Sequence, residues 1–190
     1  MTRPMDINYH SSHMIELVKH RQRLDELLIE KSDINYRDEN SRNALYWAIK
    51  NRSIYNISLL IEHKISLMVT PKTHALFYAL DSNNIEGLLF LIQKEVDINT
   101  QNSQGKTALM VALEKECIVS VQYLLAFGAD LYIMDDNHDM AIDYANRCKN
   151  KKVFELVYYK EMYERSKDIQ ADCSGCPIAQ QSLCGIKKES

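Results

Sequence analysis

The stretch Gly105-Lys106-Thr107-Ala108-Leu109-Met110, with Ala112 three residues past Leu109, decides how this chain folds, because its centre is written four times. Asn43-Ala44-Leu45-Tyr46, His74-Ala75-Leu76-Phe77 and Met140-Ala141-Ile142-Asp143 repeat Thr107-Ala108-Leu109-Met110. Their third members fall at 45, 76, 109 and 142, so the steps are 31, 33 and 33 residues. Self-similarity at that period marks a stacked array of small units, none of which can bury its apolar face alone. Ala48, Ala79, Ala112 and Ala145 each stand three residues past the repeated Leu or Ile. Residues at i and i+3 share one helix face, and alanine there lets neighbouring helices approach closely.

A second helix follows in each unit. Its mark is a paired apolar step, Leu27-Leu28, Leu60-Ile61, Leu91-Ile92, Leu124-Leu125 and Val157-Tyr158. An upstream partner three residues before each (Leu24, Ile57, Leu88, Val121, Phe154) completes a core-facing stripe. A third recurring phrase closes the helix: Ser32-Asp33-Ile34-Asn35, Val96-Asp97-Ile98-Asn99 and Gly128-Ala129-Asp130-Leu131-Tyr132. Gly128 suits the left-handed residue that ends a helix, and the Thr107 hydroxyl suits an N-cap. His74, where the other units place a capping residue, reads as a cap rather than a catalyst.

With Val121-Gln122-Tyr123-Leu124-Leu125 and Gly128-Ala129-Asp130 added, the unit beginning at Gly105 closely resembles the ankyrin repeat. The other units depart from that family's pattern, with alanine replacing its proline and Tyr46, Phe77, Met110 or Asp143 replacing its histidine. The resemblance covers residues 5–165. It implies an all-α solenoid of helix–turn–helix units: an N-terminal cap at 5–35, then repeats at 36–68, 69–100, 101–133 and 134–165. The array runs over 1–170, and 171–190 is a cysteine-containing tail. The cap lacks the repeated phrase and carries Ser11-Ser12-His13-Met14-Ile15-Glu16 at its expected helix start. Lys19, Arg21, Arg23 and Asp25 follow, as suits a unit whose outer face meets water.

In ankyrin proteins a concave face of finger loops and first helices holds a partner protein. Position by position, the resemblance implies Glu39, Asn40, Arg42, Lys50 and Asn51 in unit two. It implies Thr70, Pro71, Thr73, Asp81 and Ser82 in unit three. Unit four contributes Ser103, Gln104, Lys106, Glu114 and Lys115, and unit five Asp136, Asn137, Asp139 and Arg147. Each of these also reads as an ordinary solvated side chain. Tyr46 and Trp47, with Phe77 and Tyr78 one unit on, are either interface anchors or packing between repeats. The 31-residue step removes two residues between Met68 and Ala75, so finger three, Val69-Thr70-Pro71-Lys72-Thr73, is expected to be short and apolar. Drift in a tolerant loop and a dent that accepts a partner's protrusion are both readings of it.

Composition narrows the functional classes. A net charge of −3 supplies no basic footprint for nucleic acid, and no run reaches the apolar length of a membrane span. The start lacks a signal-peptide core, so the expected location is the cytoplasm. No phosphate loop, zinc-protease motif or nucleophile elbow occurs, and the expected role is non-enzymatic. Cys173, Cys176 and Cys184 are the exception. A Cys-x2-Cys pair with a third thiol suits zinc or an iron–sulfur cluster, and Cys176-Pro177 resembles a short haem-binding dipeptide. A thiol-bearing tail without metal is the other reading, and the array requires no cofactor. The leading expectation is an adaptor that binds a protein; the alternative is a metal- or cofactor-handling accessory protein.

Overall fold

The computed structural model describes residues 4–94 and 96–174. Each repeated phrase opens a short first helix: α3 at Ala44–Lys50, α5 at Ala75–Asp81, α7 at Ala108–Glu114 and α9 at Ala141–Arg147. In three of the four the residue before the start satisfies a backbone donor that the helix leaves open. Asn43 accepts from Tyr46 N at 3.1 Å, His74 Nδ1 from Leu76 N at 3.3 Å, and Thr107 Oγ1 from Met110 N at 3.4 Å. In the last unit the Asp143 carboxylate reaches back to Met140 N at 2.9 Å.

The second helices are α4 at Ile54–Glu62, α6 at Ile85–Gln93, α8 at Ile118–Ala126 and α10 at Lys151–Ser174. The N-terminal unit supplies α1 at Pro4–Lys19 and α2 at Glu26–Glu30. First helices α1, α3, α5, α7 and α9 pack side by side in chain order, and α4, α6, α8 and α10 form the second row. The core lies between the rows. Leu45, Leu76 and Leu109, and all four alanines at the +3 position, have no exposed surface. The chain is the all-α repeat solenoid that the spacing implies. A two-stranded hairpin interrupts it, β1 at Met68–Thr70 against β2 at Thr73–His74, where finger three is shortened.

Two expectations for the N-terminal unit are corrected. Helix α1 starts at Pro4, well before Ser11, and Ser11 is a buried mid-helix residue. Its hydroxyl donates to Ile7 O at 2.7 Å and accepts from Asp33 N at 2.8 Å, joining the helix to the loop that leaves the unit. The apolar step of α2 is Leu28-Ile29 and not Leu27-Leu28: Ile29 is buried while Leu27 is 60% exposed. The Asp25 side chain caps at Leu27 N, so the helix begins late and its buried positions move one residue along. Gly128 closes α8 at φ 83°, as expected, but Lys64 takes the same left-handed turn after α4 at φ 60°.

Units are also joined by hydrogen bonds that finish one another's helices. The last carbonyls of a helix have no partner within it. Asn51 Nδ2 donates to Val18 O at 2.7 Å, Asn84 Nδ2 to Ile49 O at 2.8 Å, Lys115 Nζ to Leu80 O at 3.5 Å and Cys148 Sγ to Leu113 O at 3.3 Å. Asn84 is buried, and its Oδ1 also accepts from Gly87 N at 2.9 Å. A Cβ on Gly87 would lie 2.7 Å from Asn84 Nδ2, so glycine is required for this approach.

Two substitutions test this packing. Ala112→Leu places a larger side chain between first helices with no free volume, and is expected to cost roughly 1–3 kcal/mol in urea unfolding. Asn84→Ala strands the Gly87 N–H and removes the second donor to the Ile49 carbonyl, and is expected to cost about 1–3 kcal/mol. A midpoint unchanged in either variant would contradict the contacts described.

Candidate partner-binding face

The fingers are built on a short side chain that folds its own loop. Asp38 Oδ1 accepts from Asn40 N and Arg42 N, at 2.9 and 3.0 Å. Asn102 Oδ1 does the same for Gln104 N and Lys106 N at 2.9 and 3.0 Å, and Asp135 Oδ1 for Asn137 N and Asp139 N at 2.8 and 2.9 Å. An Asx side chain mimics the turn it replaces, which holds a loop of few residues in one shape.

In two units an aromatic of the first helix locks the finger down. Trp47 Nε1 donates to Asp38 Oδ2 at 3.0 Å, and Tyr144 OH to Asp135 Oδ2 at 2.6 Å. Burial pushes Asp38 upward, but the bonds from Arg42 N, Trp47 and Asn40 N outweigh it and hold the carboxyl below its ordinary range. For Asp135 the Tyr144 hydroxyl is the foremost cause of a lowered value. Burial raises Tyr144 in turn. Tyr78 occupies the equivalent position in unit three, where the shortened finger has no such carboxylate. It stacks on Tyr46 instead, with ring centroids 4.3 Å apart. Trp47 and Phe77 are buried, so both pack; Tyr46 and Tyr78 are half-buried at the surface.

Charged residues on this face are largely matched within the protein. Arg42 Nε lies 3.0 Å from Asp38 Oδ2, and its guanidinium sits 4.5 Å over the Trp47 ring. Lys106 pairs with Glu114 at 3.0 Å, Lys115 with Asp81 at 2.6 Å and Arg147 with Asp139 at 2.7 Å. Lys106 is therefore no free fingertip: its side chain is 14% exposed. Lys50 lies 4.8 Å over the Trp47 ring. Glu39, Asn40, Pro71, Ser103, Gln104, Asp136 and Asn137 stand exposed at the finger tips, and Thr73 is half-buried on β2. Asn51 does not belong with them, since its amide is spent on the Val18 carbonyl.

Sequence reading passed over the residues that tie one finger to the next. Arg37 donates to Met68 O at 2.8 Å and to Val69 O at 3.3 Å, joining fingers two and three. Gln101 Nε2 donates to Met134 O at 2.9 Å, and Asp136 N to Gln104 O at 3.2 Å, joining fingers four and five. Arg37, Thr70, Gln101 and Met134 share one place in the repeat, at steps of 33, 31 and 33. That spacing was the available signal. A groove of about 760 Å³ opens between fingers three and four, lined by Met68 and Phe77 among others.

Cys173 lies in the last turn of α10, while Cys176 and Cys184, on which the zinc, iron–sulfur and haem expectations also rest, fall outside the described residues. Among the described residues no three His, Cys, Asp or Glu side chains converge as metal ligands, and no helix is long and apolar enough to cross a membrane.

The lowered Asp135 carboxyl has a consequence that can be measured. A group whose folded pKa lies below its unfolded value stabilises the fold above the unfolded value, and that contribution fades as pH falls through the folded one. The stability gap between wild type and Asp135→Asn is expected to be constant from pH 7 to 5 and to shrink below the ordinary value of 3.8. Thermal melts over that range check it; a gap that widened on acidification would contradict the Tyr144–Asp135 bond.

Comparison with known proteins agrees with this geometry. A family model described as ankyrin repeats matches residues 13–102 and 76–170. An ankyrin repeat protein of fowlpox virus is 32% identical over 124 residues, which is 64% of this chain and 21% of that protein. An ankyrin repeat protein of Rickettsia bellii is 27% identical over 123 residues, 60% of this chain and 71% of that protein. The human mitochondrial disaggregase is 38% identical over 77 residues, 40% of this chain and 11% of that enzyme. The chain thus spans about a fifth of the length of the fowlpox relative, and a smaller share of the disaggregase. With the helix pairs, the fingers and the family match in agreement, the chain belongs to the ankyrin-repeat family.

Proposed function

We propose that this chain is a non-enzymatic protein–protein interaction module, an adaptor or regulator that seats a partner protein on its concave finger and first-helix face. The observation that carries this reading is the preorganisation of the fingers. Each Asx-built turn is formed before any partner arrives, so little ordering entropy is left to lose on binding. The exposed tips are mostly polar, and half-buried Tyr46 and Tyr78 lie on the first helices of the same units, a combination of polar rim and aromatic anchors that suits a protein surface. Cys117 and Cys148 are free thiols, in keeping with work in the cytoplasm.

Arg42 and Lys106 are poor probes of this face, because each neutralises a neighbour and its reversal would disturb the fold. Site-specific photo-crosslinking avoids that difficulty. A crosslinking residue at Ser103 or Asp136, both exposed on fingers, is expected to trap the partner in extracts of the source cells, and one at Gln122 on the exposed side of α8 is not. Capture through Gln122 alone would overturn the assignment of the face.

A further inference from the structure

Finger three differs from its neighbours in two respects that bear on the same gap. Thr70 stands where Arg37 and Gln101 stand in fingers two and four, and it is too short to reach the next finger. Its hydroxyl instead accepts from Lys72 N at 3.3 Å inside its own hairpin. The Asx residue that shapes the other fingers is also missing, so the loop is the tight β1–β2 hairpin. Among the described residues no hydrogen bond or ion pair joins finger three to finger four, whereas the flanking pairs of fingers are tied.

The groove left between them has a defined chemistry. Met68, 37% exposed, offers apolar surface with the edge of the buried Phe77 ring behind it, while Thr100, Asn102 and Ser103 also line the groove and bring polar atoms to it. A volume of about 760 Å³ lies within the range that encloses a drug-sized molecule. It suits a few residues of extended chain better than a helix, which is about 10–12 Å across with its side chains. The charge at the rim is specific too. Arg42, Lys106, Lys115 and Arg147 are each paired with a carboxylate, and Asp81 at the groove's edge is matched by Lys115. Lys72, exposed on the hairpin tip, makes no ion pair among the described residues.

We propose that this groove takes an extended segment of a partner protein, with an apolar side chain set against Met68 and a carboxylate within about two residues of it, paired with Lys72. The proposal rests on the face being a protein-binding surface, and it names the chemistry of what binds there. The Ser103 hydroxyl and the Asn102 Nδ2 amide hold the segment's backbone, since Thr100 Oγ1 already donates to Asp97 O and Asn102 Oδ1 already accepts from its own loop, and the unpaired ammonium fixes its direction.

The test is selection of displayed random twelve-residue peptides on the intact chain, followed by fluorescence titration of the isolates. Enriched peptides are expected to share an apolar residue with an acidic residue one or two positions away. Lys72→Glu is expected to weaken them about fivefold, the size of one exposed ion pair, without changing the melting temperature. Met68→Arg is expected to abolish them, and Lys152→Glu, exposed on α10 and outside the groove, to leave them unchanged. Failure to enrich any peptide, a consensus without an acidic residue, or equal binding to Lys72→Glu would overturn the proposal. A native partner that crosslinks at Ser103 yet is not displaced by the peptides would overturn the groove alone. A partner held only through Gln122 would overturn the wider reading of the face.

Discussion

The Ile49 carbonyl and the buried Asn84 amide that meets it carry the constraint on which the rest of this molecule depends. The turn that follows α3 already partners its last carbonyls, with Arg52 N donating to Ile49 O at 3.1 Å, and the next unit adds a second donor to that same carbonyl. That second donor joins one unit to the next. Asn51, Asn84, Lys115 and Cys148 supply it at successive junctions, with three kinds of side chain for one task. Helices this short do not form alone, and they are completed only by stacking. The requirement explains why the units share one core and why the N-terminal unit needs a longer helix with charged, exposed residues at its end.

The same logic shapes the face. A finger projecting into water has little core to hold it, so its order comes from hydrogen bonds it makes to itself and to the first helix beneath. Asp38 and Asp135 each hold two backbone N–H groups and an aromatic hydrogen-bond donor, and the charged side chains around them are consumed in the same framework. What remains outward is short and neutral or singly charged. On the proposed reading, such a face recognises a partner by shape and position, with electrostatics supplied by the few charges that are not already matched.

How much of this could be read in the sequence follows from what each residue has to do. Leu45 and Ala48 and their repeats were legible because a dry junction between helices tolerates few residue types, so the pattern survives. The Leu27-Leu28 step misled because two leucines satisfy the apolar pattern in either register; the Asp25 cap, a local polar contact, settled which one is buried. Arg42 and Lys106 read as free tips because a long cation can fold back or extend with equal ease, and only the positions of Asp38 and Glu114 in space decide between them. The finger ties were illegible for the reverse reason. Arg37 and Gln101 look unlike each other, and their shared role is a matter of reach to a carbonyl 31 or 33 residues on.

The 31-residue step sharpens the point, because its effect is confined to the face. Val69 of β1 remains fully buried and His74 still caps α5, so the core and the helix start on either side are intact. Ala75 N still finds Leu67 O at 2.7 Å, which closes the backbone across the shortened loop. Everything removed lay between these anchors, where the other units keep their turn scaffold and the tie to the next finger. Losing that tie leaves no buried polar group unsatisfied, since the finger faces water, so the array can tolerate the loss without a compensating change inside. A deletion that is silent in the core and complete at the surface alters what the face can hold while leaving what holds the face together unchanged.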